Sequence, residues 1–259
     1  PKTTGLHCKL ILARRSPLVN WFSSQTQLLD WGPGYPLLVN RITRILVLFP
    51  AYREDRVIKG SVRNFLCQQY PSDYYDVVVM NALLGGLFSS RINLNLRERH
   101  GYTYGARTGF SGSKIPGTFS ASSSVRTNAT GESVAIFRDQ IAKYKEGISE
   151  EDLAFTKNAL IKSNARRFET QGSLLGMLQE MSAYDLDPKF IEKEEQIVGA
   201  MTLEQHKALA NEYLDESKMV YLVVGDAATQ FEQFKTMGFD EVKLLDKKGE
   251  EVDLNVVKM

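Results

Sequence analysis

The chain has 259 residues, of which 43% are hydrophobic and 24% are charged, and this composition excludes a disordered, collagen-like or disulfide-rich protein. Its net charge of +1 hides an uneven distribution. Residues 1–69 hold ten Lys or Arg against three Asp or Glu (+7), which leaves 22 against 28 (−6) in the rest. Such a split fits either an arm for nucleic acid or a membrane surface, or two complementary faces within one particle.

The first 40 residues show no sustained hydrophobic period and contain the turn cluster Trp31-Gly32-Pro33-Gly34-Tyr35-Pro36. We treat residues 1–40 as a divergent N-terminal segment or linker and residues 41–259 as one domain. The opening residues lack the charged-then-apolar layout of a secretory signal. No run approaches the roughly 18 apolar residues of a membrane span, and Cys8 and Cys67 are too few for a disulfide framework.

A β-branched run from Ile42 to Phe49, ended by Pro50, predicts the first clear strand. The next segment predicts a helix capped by Ser72 or Asp73, because its apolar residues recur with the helical period. Two adjacent glycines inside this pattern indicate close packing or a bend, since each costs about 1 kcal/mol relative to Ala. A second short helix is predicted over Ser89–Glu98. The inward residues of the first helix are Val77, Met80, Leu83, Leu84, Leu87 and Phe88.

A hairpin is predicted next, with strands Tyr102–Phe110 and Thr118–Val125 joined by a loop that contains Gly112 and Pro116-Gly117. Further helices are predicted over Thr130–Glu146, over 173–184 and over 189–199, and another runs from Thr202 to Leu214. A helix is also predicted to begin at Ser149, with Leu153, Leu160, Ile161 and Phe168 facing inward. Met219–Val224 predicts a buried strand that ends at Gly225. The order predicts an α+β fold with a largely antiparallel sheet and helices packed mainly on one face.

Metal and hydrolase motifs do not fit this sequence. The three histidines, His7, His100 and His206, are too far apart for H-E-x-x-H or H-x-x-E-H, and a helical zinc site needs ligands one turn apart. His7 lies beside Cys8, but adjacent strand residues point to opposite faces. There is also no nucleophile elbow and no phosphate-binding loop. We therefore expect no metal and no zinc chemistry in this chain.

Arg97 and Tyr104 are the candidate binding residues. They lie seven positions apart across a predicted helix, a Gly101 turn and a strand, which can fold back to bring the side chains together. An Arg offers rigid donors and a Tyr offers a phenolic donor, so the two could hold a peptide carbonyl. The structural alternative is that Arg97 pairs with a nearby carboxylate and Tyr104 packs half-buried in its strand.

The stretch from Gly85 to Tyr104 resembles the pattern G-G-x-x-S-S-R-L-x-x-x-L-R-E-x-x-G-x-x-Y of the pitrilysin/insulinase-type zinc metallopeptidases. This family includes insulin-degrading enzymes, mitochondrial processing peptidases and bacterial two-domain or heterodimeric relatives. The likeness continues in order through Arg167-Phe168-Glu169-Thr170, the helix opening at Thr202 and the stretch Tyr221–Asp226. Residues 1–40 do not fit the family pattern, Val57–Gly60 fits only loosely, and Tyr102 stands where relatives more often have an aliphatic residue.

The resemblance implies a non-catalytic pitrilysin-like domain that works with a homologous domain or subunit carrying zinc on H-x-x-E-H. It implies that Arg97 and Tyr104 bind the peptide substrate and its transition state across a shared chamber. It also implies structural roles for the other motif residues, which are Gly85, Gly86, Ser89, Ser90, Arg91, Glu98 and Gly101.

Three functions follow as hypotheses. The first is the non-catalytic half of a zinc metalloendopeptidase, with zinc in the partner and a peptide substrate. The second is a non-enzymatic scaffold or assembly subunit of the same family. The third is a binding module that uses basic residues 1–69. Retention of Arg97 and Tyr104 favours the first over the second, and the lack of basic motifs interleaved with aromatic residues weakens nucleic-acid binding.

Overall fold

A computed structural model describes residues 9–14, 42–50, 74–110, 118–246 and 249–253. Within these ranges six strands form one sheet in the order β3-β4-β2-β5-β1-β6, and every neighbouring pair is antiparallel. The antiparallel α+β prediction is therefore confirmed. The strands are β1 Lys9–Arg14, β2 Ile42–Pro50, β3 Thr103–Phe110, β4 Thr118–Arg126, β5 Val220–Gly225 and β6 Glu241–Leu245.

Eight helices are described, and the first two change from α to π geometry along their length. Helix α1 continues as the π-helical turn Ala82–Gly86, and α2 continues as Leu94–Arg99. The helices are α1 Tyr74–Asn81, α2 Arg91–Asn93, α3 Thr130–Glu146, α4 Glu150–Ala165, α5 Gln171–Tyr184, α6 Phe190–Ala200, α7 Leu203–Tyr213 and α8 Ala227–Lys235.

Helix α1 is buried on two sides, which explains its nearly continuous apolar sequence. Val77 and Leu84 join the main core with the sheet residues Phe119 and Tyr221. Val79 instead joins a second cluster formed with residues of α4 and α6. The described helices therefore form two layers over one face of the sheet, and α1 lies between the sheet and the outer helices.

The segment Tyr74–Arg99 is long and apolar enough to cross a membrane by length and composition alone. Most of its side chains are buried within the domain, among them Val77, Met80, Leu84 and Ile92. A core helix meets the same length and composition test, and this packing accounts for the apolar sequence.

Helix ends follow the capping chemistry of the sequence. Ser149 and Asp152 form a reciprocal capping box at the start of α4, and Thr202 and Gln205 form a second one at the start of α7. Helix α3 ends at Gly147, which has a φ of 121° that favours glycine.

Several expectations need correction. Phe88, Ile161 and Phe168 were expected to face inward, but all three are exposed. Phe88 lies in the turn after α1 and Phe168 in the 3₁₀ turn after α4, where the helical period has ended, and α4 packs through Leu153 and Leu160 instead of Ile161. Helix α8 and strand β6 were not predicted. Strand β1 lies within the segment treated as divergent or a linker. The predicted hairpin loop with Gly112 and Pro116-Gly117, the Val57–Gly60 segment and both cysteines lie outside the described residues.

Candidate functional site

The outer edge of β3 is covered by the end of α1 at very short range. A Cβ built on Gly85 would lie 2.3 Å from the Thr108 side-chain oxygen and 2.6 Å from the Thr108 backbone nitrogen. Only a residue without a side chain allows this approach. The first glycine of the motif therefore has a packing role, as the sequence predicted. Gly86 is exposed, and its built Cβ would lie 3.3 Å from the Asn81 side-chain nitrogen.

Two buried asparagines satisfy backbone groups along this edge. Asn81 donates its amide to the Thr108 carbonyl (3.1 Å) and accepts from the Thr108 hydroxyl (2.5 Å). Asn93 accepts from the Ala106 N–H (2.9 Å) and donates to the Phe88 carbonyl (2.6 Å). Backbone groups on an edge strand need such partners when they are buried, so both amides fasten the helical segment to β3.

Phe88 lies in the turn between α1 and α2, and its ring is 68% exposed. The guanidinium of Arg97 lies over this ring, 4.7 Å from its centroid, which is a cation–π contact. Arg97 also forms an ion pair with Glu98 at 3.3 Å. The cation is thus held above an exposed aromatic surface and stays partly open to solvent.

Tyr104 is 95% exposed and lies at an irregularity of the sheet. Thr103 pairs with Val125 and Ala106 pairs with Ser123, so Tyr104 and Gly105 together lie opposite the single residue Ser124. Such a bulge redirects side chains and often occurs near binding sites. Half-buried strand packing, the structural alternative for Tyr104, does not fit a side chain that is 95% exposed.

The helix–turn–strand that joins the two candidate residues forms as the sequence predicted. Gly101 has a φ of 61° and donates to the Arg97 carbonyl at 3.1 Å, which turns the chain into β3. Within the described part of the chain, the Arg97 side chain contacts the Phe88 ring and pairs with Glu98. Arg97 and Tyr104 therefore lie on two arms of one motif, and no hydrogen bond or ring contact among the described residues joins them.

Arg91 of the S-S-R motif points away from these residues and joins two helices. It pairs with Asp152 at 2.6 Å, and its guanidinium lies 5.5 Å from the Tyr144 ring centroid. Partial burial raises the pKa of Asp152, but the hydrogen bonds from Arg91 and Ser149 outweigh it and hold that pKa below its ordinary value. The motif arginine thus joins α2 to α4 in this fold.

The remaining motif residues lie in the turn before α2 and in its π-helical continuation. Ser90 is buried and begins α2 without a side-chain capping bond, while Ser89 is half-buried. Glu98 lies further along, in the π-helical segment Leu94–Arg99, where it is exposed and forms an ion pair with its neighbour Arg97. Ser89 and Ser90 therefore belong to the turn that carries Phe88, whereas Glu98 lies beside Arg97.

The described histidines do not form a metal site. His206 is buried against the hydroxyl of Tyr144 (2.9 Å), which also donates to the Met80 carbonyl (2.6 Å). Burial lowers the pKa of His206 to about 4, so the ring is neutral. His100 lies at the surface against Tyr102. In the ranges that the structure describes, no three His, Cys, Asp or Glu side chains cluster as metal ligands.

A second polar cluster joins α4, α5 and α6 away from β3. Arg167 pairs with Glu194 at 2.5 Å and with Glu180 at 3.5 Å, and its guanidinium lies 5.2 Å from the centroid of the Phe190 ring. Burial raises the pKa of Glu194 despite this pairing. An open cavity of about 370 Å³ borders Arg167. Glu180 and Glu194 both pair with Arg167, which indicates a junction between helices.

Sequence reasoning missed Asn81, Asn93 and Phe88 as residues that shape the site. The two asparagines occupy buried positions within otherwise apolar helical runs. A buried amide needs partners for both of its polar atoms, and this was the available signal. The position of Phe88 could not be derived from periodicity, because the turn at Gly86 ends the period that placed it inward.

Comparison with known proteins places these features in a family. The sequence model of the peptidase M16 inactive domain matches residues 56–160, about two fifths of the chain. No curated protein sequence matches the chain.

Solved structures share the fold. A peptidase M16 inactive domain from Pseudomonas fluorescens superposes with a TM-score of 0.58 at 24% identity, covering 71% of this chain and 41% of that chain. A protease from Helicobacter pylori gives 0.53 at 16% identity, with 71% and 41% covered. A chain of complex III2 from Candida albicans gives 0.55 at 9% identity, with 75% and 46% covered. These identities show the fold alone.

This chain therefore spans about two fifths of the length of the Pseudomonas and Helicobacter chains. Its family match contains Gly85, the exposed turn, α2 and the β3–β4 hairpin, and the surrounding fold is the one that the solved M16 structures have. Residues 56–160 are thus similar to the peptidase M16 inactive domain, which agrees with the resemblance of the Gly85–Tyr104 stretch to pitrilysin/insulinase-type metallopeptidases.

Proposed function

We propose that this domain is the non-catalytic half of a zinc-dependent metalloendopeptidase, and that it positions a peptide for a zinc site on a homologous partner domain or subunit. The observation that carries the proposal is Tyr104. A tyrosine that is 95% exposed on a sheet bulge, seven residues after an arginine held on an exposed ring, contributes little to folding and is available to a ligand.

The two side chains supply complementary donors. Arg97 presents a planar, permanently charged fork and Tyr104 presents a rotatable hydroxyl, and both can donate to one carbonyl oxygen. Donors aimed at this oxygen stabilise the negative charge that develops on it as the peptide bond is attacked. Zinc bound to the partner would activate the attacking water. In this scheme the present chain orients the carbonyl and performs no metal chemistry.

The availability of both side chains fits this role. Among the described residues no hydrogen bond or ring contact joins Arg97 to Tyr104, so their donors are not used on each other and remain available to a peptide carbonyl. The ion pair of Arg97 with exposed Glu98 is no obstacle, because exposed ion pairs stabilise by only about 0–1 kcal/mol. The guanidinium can therefore exchange this partner for a substrate oxygen at little cost.

The test uses the complete protein or two-subunit complex that contains the H-x-x-E-H domain. Tyr104→Phe and Arg97→Ala should each lower kcat/KM by one to three orders of magnitude, on the order of 1.4–4 kcal/mol. Because both would serve one carbonyl, the double variant should lose less than the product of the two single losses.

Matched controls lie beside each residue. Tyr102→Phe removes a neighbouring hydroxyl that donates to Glu132, and Arg99→Ala removes an exposed cation two positions from Arg97. Both controls should retain activity. If Tyr104→Phe and Arg97→Ala also retain activity with zinc confirmed in the partner, the scaffold function replaces the one proposed.

A further inference from the structure

A single buried amide connects the two arms of the candidate site. Asn93 is only 3% exposed, and its two polar atoms bond to backbone groups on different elements. The Ala106 N–H must donate to the side-chain oxygen and the Phe88 carbonyl must accept from the side-chain nitrogen, so the network fixes the orientation of the amide.

Each of these two hydrogen bonds ends at a residue that contacts or closely follows one of the candidate residues. On one side, Asn93 holds the backbone of Phe88, whose ring carries the Arg97 guanidinium. On the other side, it holds Ala106, the residue that follows the Tyr104–Gly105 bulge. A Cβ on Gly105 would lie 3.8 Å from the Asn93 oxygen, so the bulge packs directly on this amide.

We propose that Asn93 is a positioning residue that sets the distance between Arg97 and Tyr104, acting on Arg97 through the Phe88 ring. The inference rests on the proposed function. Neither candidate side chain is fixed by the other, and a site formed by two separate arms needs a rigid connection to hold one carbonyl. The Asn93 amide supplies this connection through two hydrogen bonds of 2.6 and 2.9 Å.

Asn81 provides a matched comparison within the same chain. It is 5% exposed and also bonds the helical segment to β3, but at Thr108, two residues beyond Ala106. Its contacts therefore fasten the same two elements without reaching the Phe88 turn or the bulge. If both asparagines have a purely structural role, substituting either one should change kcat alike. If Asn93 is a positioning residue, its substitution should lower kcat more than substitution of Asn81.

The test compares Asn93→Asp with Asn81→Asp in the complete zinc-containing protein. Aspartate keeps an oxygen that accepts from Ala106, but it replaces the donor to the Phe88 carbonyl with a second oxygen. Both substitutions should lower Tm similarly. Asn93→Asp should also lower kcat about tenfold with a smaller change in KM, while folded Asn81→Asp should keep kcat within about twofold of the parent protein.

A double-mutant cycle tests whether Asn93 affects kcat through Arg97. If Asn93 acts through Arg97, adding Asn93→Asp to Arg97→Ala should change kcat less than twofold. Phe88→Leu gives a second test that does not threaten folding, since the ring is largely exposed. It removes the aromatic face below Arg97, and it should reproduce the loss of kcat at unchanged Tm.

The outcomes separate this inference from the proposed function. Equal losses in Asn93→Asp and Asn81→Asp, or a full tenfold loss in the Arg97→Ala background, would overturn the positioning role while leaving the Arg97–Tyr104 pair in place. Parental activity in Arg97→Ala and Tyr104→Phe would instead remove the proposed function, and the role of Asn93 with it.

Discussion

At the scale of single residues, a few small or polar side chains decide how the helices meet β3. Gly85 allows the end of α1 to contact β3 closely. Asn81 and Asn93 form hydrogen bonds with the backbone groups of the β3 edge that this contact buries. None of the three adds much apolar area. Their effect is geometric: Gly85 and Asn81 fasten the end of α1 to β3 at Thr108, whereas Asn93 joins the Phe88 turn to Ala106.

Substitution of Gly85 by Ala should destabilise the domain. The new methyl group would meet the Thr108 backbone at 2.6 Å, and overpacking of this kind costs about 1–3 kcal/mol. Urea unfolding measures the change. Gly176→Ala is the control, since nothing lies within 4 Å of its built Cβ in α5. It should leave stability unchanged or raise it by about 0.5–1 kcal/mol, and equal behaviour of the two variants would contradict the packing role.

His206 should make the fold sensitive to mild acid. Its pKa is about 4 in the folded chain against 6.5 for the free side chain, so the unfolded state takes up a proton first as pH falls. The stability contributed by the neutral ring is complete above pH 6.5 and is lost between pH 6.5 and 4, on the order of 3 kcal/mol at about 1.4 kcal/mol per pKa unit.

The measurement is the free energy of unfolding at pH 7, 5.5 and 4 for the parent chain and for His206→Gln. Burial raises the pKa of Glu194, so Glu194 stabilises the fold as pH falls and opposes the effect of His206. The His206→Gln variant keeps Glu194, and comparison with it therefore isolates the effect of His206. The difference between the two proteins should shrink or change sign toward pH 4. A constant difference would show that His206 does not titrate on unfolding.

At the scale of elements, α1 connects the sheet to the outer helices. Its sheet-facing residues and its outward-facing residues belong to different core clusters. An amphipathic helix needs one apolar stripe, whereas a helix between two layers needs two. This explains why the predicted inward positions hold as far as Leu84 and fail at Phe88, beyond the close contact of Gly85 with β3.

Leu84→Asp tests this position of α1. The side chain is fully buried, and an unpaired charge there should cost several kcal/mol or prevent folding. Leu94→Asp is the control at a side chain that is 43% exposed, and it should change stability by less than about 1 kcal/mol. Circular dichroism during thermal unfolding measures both, and similar melting temperatures would argue against the two-layer packing.

At the scale of the whole molecule, the fold seen here covers 41% of each of the Pseudomonas and Helicobacter chains. The candidate residues lie on one exposed motif, and the described titratable clusters are helix junctions rather than hydrolytic centres. Under the proposed function, hydrolysis requires a second domain that carries the zinc.

The isolated chain should accordingly hold no stoichiometric zinc and hydrolyse no peptide. Elemental analysis and a fluorogenic peptide assay measure both, and adding the H-x-x-E-H domain should produce activity. About one tightly held zinc per chain, lost on substitution of His7 or His206, would assign the metal to this domain instead. Activity of the chain alone with a chelator present would also contradict the prediction.

The sequence by itself determined the element order, because helix caps, the 3.6-residue period and β-branched runs are local signals. Ser149, Thr202 and Gly147 mark helix ends that the structure has at the same residues. The motif from Gly85 to Tyr104 likewise indicated the family and the candidate pair.

Only the tertiary structure decided which of these side chains are exposed. Phe88 is exposed because the helix must end where Gly85 meets Thr108, and Tyr104 is exposed because one extra residue in β3 forms a bulge. Asn93 gains its role from partners at Phe88 and Ala106 on two different elements. Such contacts depend on how separate segments pack, and neither local propensity nor periodicity encodes the distance between them.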